Sequence, residues 1–319
     1  MLGLIQNEWM KIFRRPGTYV MIGLLLIMTT VAGAFIKYQE SGGTVPDNTE
    51  WKRGLQTQNE SYQKQLEEMG EMAPREMKEQ YQREIAINEY RIKNDISPNQ
   101  EYSVWGFVSD TSQLIEFAGL FTIIIAGGIV ASEFTWGTIK LLLIRPIKRV
   151  KILGVKYITV ILFGLMVLAV LFGYSALLGG LLFGFPEKAI PYLYYYNGTV
   201  TEQSMGLHLI AYYGLKSVNM LMLATMAFMI SAVFRNSSLA IGLSLFLMFM
   251  GGQVTRLIAM KYDWARYSLF ANTDLLQYFE GMPMVQGMTI GFSIMIIFIY
   301  FLLFQVLAFY VFNKRDVSA

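Results

Sequence analysis

Two charged stretches and three isolated polar residues hold what chemistry this sequence has to offer. The first stretch, "NEWMKIFRR" at 7–15, sets Glu8, Lys11, Arg14 and Arg15 around Trp9. The second, "ASEFTWGTIKLLLIRPIKR" at 131–149, places Glu133, Phe134, Thr135, Trp136, Gly137, Thr138 and Lys140 between two long apolar runs. Glu116, Lys216 and Asn219 stand alone inside apolar runs, where an ionisable side chain is costly and marks a pathway, a partner or a latch between helices. None of these sets has the makeup of a catalytic constellation. Cysteine is absent and His208 is the single histidine, which removes thiolate chemistry, disulfides and the usual imidazole or thiolate metal sites. No G-x-x-x-x-G-K-[ST] occurs to cradle phosphates. "MGGQV" at 250–254 imitates an ATPase signature but lies inside an apolar run. The expectation is a chain with no catalytic residue, no metal site and no bound cofactor of its own.

The elements that must position these residues are membrane spans. The chain is 54% hydrophobic and 15% charged, against about a quarter charged in an average soluble domain. A helical crossing needs about 20 mostly apolar residues. That length is met at 18–36, 113–132, 152–185, 207–234, 239–260 and 288–312, which predicts an all-α fold with six transmembrane helices. The first run is longer than the apolar core of a signal peptide and is expected to be a retained anchor. The short connections carry the orientation. Lys11, Arg14 and Arg15 precede the first span, and Lys140, Arg145, Lys148, Arg149 and Lys151 follow the second. Arg235 follows the fourth, and Lys314 and Arg315 stand against Asp316 in the tail, 313–319. Six crossings put all of them on one side, and a basic excess marks that side as cytoplasmic. The net charge of +3 is too small to point to nucleic acid as a partner.

Residues 37–112 form the one large polar segment, with nine Lys/Arg against fourteen Asp/Glu over 37–110, a net −5. Gly70 and Pro74 interrupt it midway. Glycine ends helices and proline begins them, which predicts two antiparallel helices at about 50–69 and 74–95, an external helical hairpin. Leu55, Tyr62 and Leu66, then Met77, Tyr81 and Ile85, keep helical spacing. Residues 186–206 read as an extracellular loop. The aromatic-rich 261–287 reads as an external segment, or as short helices dipping back into the outer leaflet. Gly180/Gly184 and Gly287/Gly291 are spaced for close helix approach.

The N-terminal 1–17 reads as an interfacial helix: Leu2, Ile5, Trp9 and Ile12 share one face, with Asn7, Glu8, Lys11 and Arg15 broadly opposite, reaching lipid phosphates. From Glu133 to about Ile144 only Gly137 breaks helix, so the 133–151 connection predicts a short semi-apolar helix along the cytoplasmic surface. Pro146 disfavours helix at Arg145.

Glu133, Gly137, Thr138, Lys140, Leu142, Leu143, Pro146 and Arg149 resemble the E-x-x-x-G-T-x-K-x-L-L-x-x-P-x-x-R pattern of ABC-2 type transporter membrane subunits. Asn7-Glu8-x-x-Lys11-x-x-Arg14-Arg15 is similar to that family's opening segment, and the six-span layout agrees over nearly the whole chain. The resemblance implies an exporter permease in a bacterial plasma membrane, moving an amphipathic peptide, antibiotic or lipid-like molecule. It implies a second permease subunit, homo- or heterodimeric, and a cytosolic ABC ATPase that holds ATP and Mg. The 133–144 helix would dock into that ATPase as the coupling helix, with Glu133 to Thr138 and Lys140 as contacts. Two rival functions stay open: a membrane sensor or resistance component whose external hairpin binds a ligand, and an ion-driven secondary transporter. The second would be expected to carry midplane carboxylates, and the sequence has none.

Overall fold

A computed structural model describes residues 1–42, 50–70, 75–98, 102–138, 147–186, 191–196, 198–279 and 283–314. The chain is an all-α membrane protein. Among the described residues six helices are long and apolar enough to cross a bilayer: Pro16–Glu40, Val104–Thr135, Arg149–Leu182, Met205–Phe234, Ser237–Ala259 and Ile290–Lys314. In chain order the elements are α1 (Leu2–Phe13), α2 (Pro16–Gly42), α3 (Trp51–Met69), α4 (Arg75–Asn94), α5 (Val104–Thr111), α6 (Ile115–Ile129) and α7 (Ala131–Thr135). Then come α8 (Arg149–Leu182), the strands β1 (Pro191–Tyr196) and β2 (Thr199–Ser204), α9 (Met205–Phe234), α10 (Ser237–Ala259), α11 (Leu269–Asn272) and α12 (Ile290–Lys314).

Apolar residues all round a helix suit either the middle of a bundle or lipid, and burial separates the two. The best apolar windows of the spans that include α6 and α9 are 72% and 67% buried, against 17% for α2 and α12 and 22% for α10. So α6 and α9 form the centre and pack most extensively on each other, while α2, α10 and α12 lie outside with apolar faces open. The core runs through Ile123, Phe163, Leu171, Leu209 and Phe228. Close approach is set by glycines other than those in the G-x-x-x-G pairs. A Cβ on Gly127 of α6 would stand 2.7 Å from Ile241 Cγ1 of α10, and one on Gly251 would stand 2.4 Å from the Phe270 ring. Gly291 meets nothing within 4 Å, Gly180 meets only Phe185, and Gly184 and Gly287 take left-handed φ angles of 75°. Gly184 and Gly287 therefore serve chain reversal, and Gly180 and Gly291 are helical without a close helix-to-helix approach.

The second span starts earlier than its apolar run. Its first eight residues, α5, fold as a separate helix, joined to α6 by a 3-10 turn at Ser112–Leu114. Phe107 of α5 is fully buried, held against Gly33 and Gly179. The external hairpin agrees with the sequence pattern within a residue or so at each described end. The Tyr62 and Tyr81 rings meet at a tilt with centroids 5.3 Å apart, and Asn88 donates to Asn59 across the buried seam at 2.9 Å. Residues 186–206 are more than a loop, since β1 and β2 pair antiparallel from Pro191↔Ser204 to Tyr196↔Thr199. The turn includes Gly198 at φ 81°, a conformation easiest for glycine. The 261–287 segment folds into two 3-10 turns, Asp263–Tyr267 and Leu275–Tyr278, on either side of α11.

Candidate functional site: a charged junction at one end of the bundle

Arg235 ends α9 in the left-handed region (φ 56°, ψ 25°), and the Asn236 side chain caps α10 by accepting from the Leu239 N–H at 3.0 Å. That tight turn carries the Arg235 guanidinium over the Phe134 ring, 4.4 Å from its centroid. Phe134 also meets Phe312 edge-on at 6.3 Å, and Arg149 donates to the Asn313 carbonyl at 3.4 Å. Arg15 lies 5.0 Å from the centroid of the Trp136 ring. The four connections that the charge pattern assigns to one side thus meet at one end of the bundle.

At the centre of this end is an ion cluster. Lys156, on the second turn of α8, is 1% exposed. Its ammonium donates to Glu8 Oε2 at 2.7 Å, Glu133 Oε1 at 3.0 Å and the Ile129 carbonyl at 3.0 Å, so all three protons are satisfied. Lys11 donates to Glu8 Oε1 at 2.8 Å and Glu133 Oε1 at 2.9 Å, and Thr138 Oγ1 donates to Glu133 Oε2. Two carboxylates thus face two ammoniums with no net charge. A buried ion needs such pairing, because its desolvation costs several kcal/mol. Burial opposes the charge on Lys11, but its bonds and charge pairing with Glu8 and Glu133 outweigh that and raise its pKa above the ordinary 10.5. The space beside the cluster is ≈ 10 Å³, about one water's worth. It is a closed tie between α1, α7 and α8 and not a ligand pocket.

This geometry corrects the reading of α1. Glu8 is 6% exposed and both Glu8 and Lys11 turn inward, whereas Arg14 remains exposed. A carboxylate gains nothing from lipid phosphates, and Lys156 requires it. The Trp9 ring meets Phe13 at a tilt with centroids 5.3 Å apart, and Phe13 meets Phe163 of the core edge-on at 6.5 Å. Of the predicted 133–144 helix only 133–138 is described, and there the helix is not continuous. Glu133 and Thr135 belong to α7, whose end is followed by Gly137 at φ 68°. Ile139, Lys140, Leu142, Leu143, Arg145 and Pro146 lie outside the described residues. Trp136 is 64% exposed, a large ring presented outward at the break.

Glu116 and Lys216 do not meet. Glu116 is exposed at the start of α6, and the Lys216 ammonium sits 5.1 Å from the centroid of the Tyr212 ring. Among the described residues no ion pair joins them, and Asn219 is half-buried in α9. The residue missed from the sequence is Lys156. A lone lysine in the apolar 152–185 run is the same signal that singled out Lys216.

Fold and junction together define a class: a six-span helical membrane protein whose first helix is locked by charge to the ends of its second and third spans. A family model described as "Protein of unknown function (DUF2705)" matches residues 80–318. The chain belongs to this family. The "Uncharacterized protein YhcI" of Bacillus subtilis (strain 168) is 50% identical over 320 residues, covering all of both chains. The "Uncharacterized membrane protein YdbK" of the same organism is 34% identical over 226 residues, 70% of this chain and 87% of that one.

Proposed function

We propose that the chain is the membrane permease subunit of an ATP-driven ABC-2 type exporter in a bacterial plasma membrane, paired with a second permease subunit and a separate cytosolic ATPase that binds ATP and Mg. The observation that carries this is the exposed Trp136 ring beside Arg15, set one turn from Glu133 in the closed ion tie. A large aromatic ring backed by a cation is the kind of anchor that supplies much of an interface's affinity. A load applied at 136–138 passes through Glu133 to Lys156 of α8 and Glu8 of α1, and so to two elements at once. An amphipathic substrate suits the apolar faces of the outer helices. The chain itself does no covalent chemistry in this scheme.

A photo-crosslinking amino acid at Trp136, activated in native membranes, tests it. The expected product is a covalent adduct with a cytosolic protein that contains a phosphate-binding loop. Adducts with lipid alone, at a position that still supports folding, contradict the proposal.

A further inference from the structure

The external hairpin is acidic in sum, yet its inner face is basic. Glu60, Glu67, Glu68, Glu79 and Glu89 are exposed, whereas Arg83, Glu84, Ile87 and Arg91 of α4 line a cavity of ≈ 390 Å³. That size lies in the range of small-molecule sites. The opposite wall is β1, from Pro191 to Tyr195, and Met205 and Phe279 close it. Arg83 is held in place, donating to the Phe279 carbonyl at 2.6 Å and meeting Glu84 at 3.5 Å. Arg91 is half-buried; burial lowers its pKa from the ordinary value, and Glu84 pushes back. Glu84 contacts Arg83 directly, and among the described residues no hydrogen bond from the Arg91 guanidinium is found.

The cavity also has a direction. A second cavity of ≈ 340 Å³ adjoins it, sharing Pro191 and Met205 and opening beside Trp105 and Gly206. Met205 and Gly206 begin the span α9 and Trp105 begins α5, so the pair of cavities leads from the arginines to the outer boundary of the apolar helices. Tryptophan is at home at that level of a membrane.

We propose that this cavity is a binding site for a phosphate oxyanion on a small amphiphile, with the phosphate between Arg91 and Arg83 and the remainder along β1 toward Trp105. Guanidinium forks match phosphate oxygens two at a time, and Tyr192, Leu193, Tyr194 and Tyr195 of β1 line the path of the rest of the molecule. A cationic ligand, which the acidic hairpin invites at first sight, meets the wrong charge here. The site stands apart from the junction at the other end of the bundle and does not depend on the ATPase assignment.

The test is calorimetric titration of the full chain in phosphatidylcholine nanodiscs with three probes: short-chain phosphatidylglycerol, glycerol phosphate and short-chain phosphatidylcholine. Saturable binding of the first, at least tenfold weaker in Arg91→Gln and in the cavity-filling Ile87→Trp but partly kept in Arg91→Lys, is the expected result. Equal binding of glycerol phosphate keeps the phosphate site and makes its source soluble. Unfolding midpoints of the variants check that the fold is intact. Variants that bind like wild type, phosphatidylcholine binding as tightly as phosphatidylglycerol, or no binding of any probe overturns the proposal.

Discussion

Lys156 is the residue on which the charged junction turns. Replacing it by Met removes one of two ammoniums from between Glu8 and Glu133, which are 6% and 7% exposed, and leaves a carboxylate in excess. Breaking a buried pair in this way costs about 3–5 kcal/mol, so Lys156→Met is expected to lower the thermal unfolding midpoint in detergent sharply. Adding Glu8→Gln leaves Glu133 and Lys11 as a matched pair at 2.9 Å. The double variant should therefore unfold above the single one, and a lower midpoint in the double would exclude the tie. Lys11 is partly exposed and supplies a pH signature instead. Its pKa is raised on folding, so its contribution is complete below 10.5 and fades as pH climbs through the higher folded value. The stability gap between wild type and Lys11→Met should hold steady from about pH 6 to about pH 9 and close only in strong alkali. The cluster was half legible in the sequence. Glu8, Lys11 and Glu133 stand out by type and position, but a pattern cannot say that a carboxylate 148 residues from Lys156 will be its partner, and amphipathic spacing alone sends α1's charges to lipid.

At the scale of elements, the break at Gly137 and the approach at Gly127 make separate predictions. Gly137 holds φ 68° with open space around it, so Gly137→Ala meets only backbone strain, about 1–2 kcal/mol for an L-residue there. Gly127→Val pushes side-chain atoms into Ile241 at the α6–α10 contact, where overpacking costs about 1–3 kcal/mol. Gly291→Val, with nothing within 4 Å, should leave the unfolding midpoint near wild type. A series of midpoints with Gly291→Val as damaging as Gly127→Val would mean that the close contacts lie elsewhere. The elements themselves were largely readable. Length and apolarity locate six spans, and Gly70 with Pro74 locates the turn of the hairpin. The β-hairpin has a sequence signal, "YLYYY" and "TVT" flanking Asn197-Gly198, but two strands this short between two spans also fit an ordinary connecting loop. α5 escaped because Ser109 to Gln113 interrupts the apolar run, while the backbone continues through a 3-10 turn.

Over the whole molecule, the bundle has two differently built ends. The central helices α6 and α9 connect an end where charges lock α1 to α7 and α8 with an opposite end where α4 and β1 enclose an arginine-lined cavity. Tyr90 donates to Glu202 of β2 at 3.2 Å, and Arg83 holds the Phe279 carbonyl at 2.6 Å, so the hairpin is tied to two of the segments that connect the spans. The positive-inside pattern anticipated which connections share a side, because that rule sums charge over loops and needs no contacts. It gave no hint of the outer cavity, which depends on which face of α4 turns inward.

The central claim is that the exposed aromatic break after α7 receives a cytosolic ATPase, and gentle co-purification from native membranes with mass spectrometry tests it most directly. Trp136→Ala is the variant to compare, since Trp136 is 64% exposed and its loss leaves the ion cluster whole, whereas a change at Glu133 would unfold the junction and confuse the result. The account predicts a phosphate-binding-loop ATPase that accompanies the wild-type chain and is at least tenfold depleted with Trp136→Ala at equal chain recovery. No such ATPase with the wild type, or one retained undiminished by the variant, would contradict it.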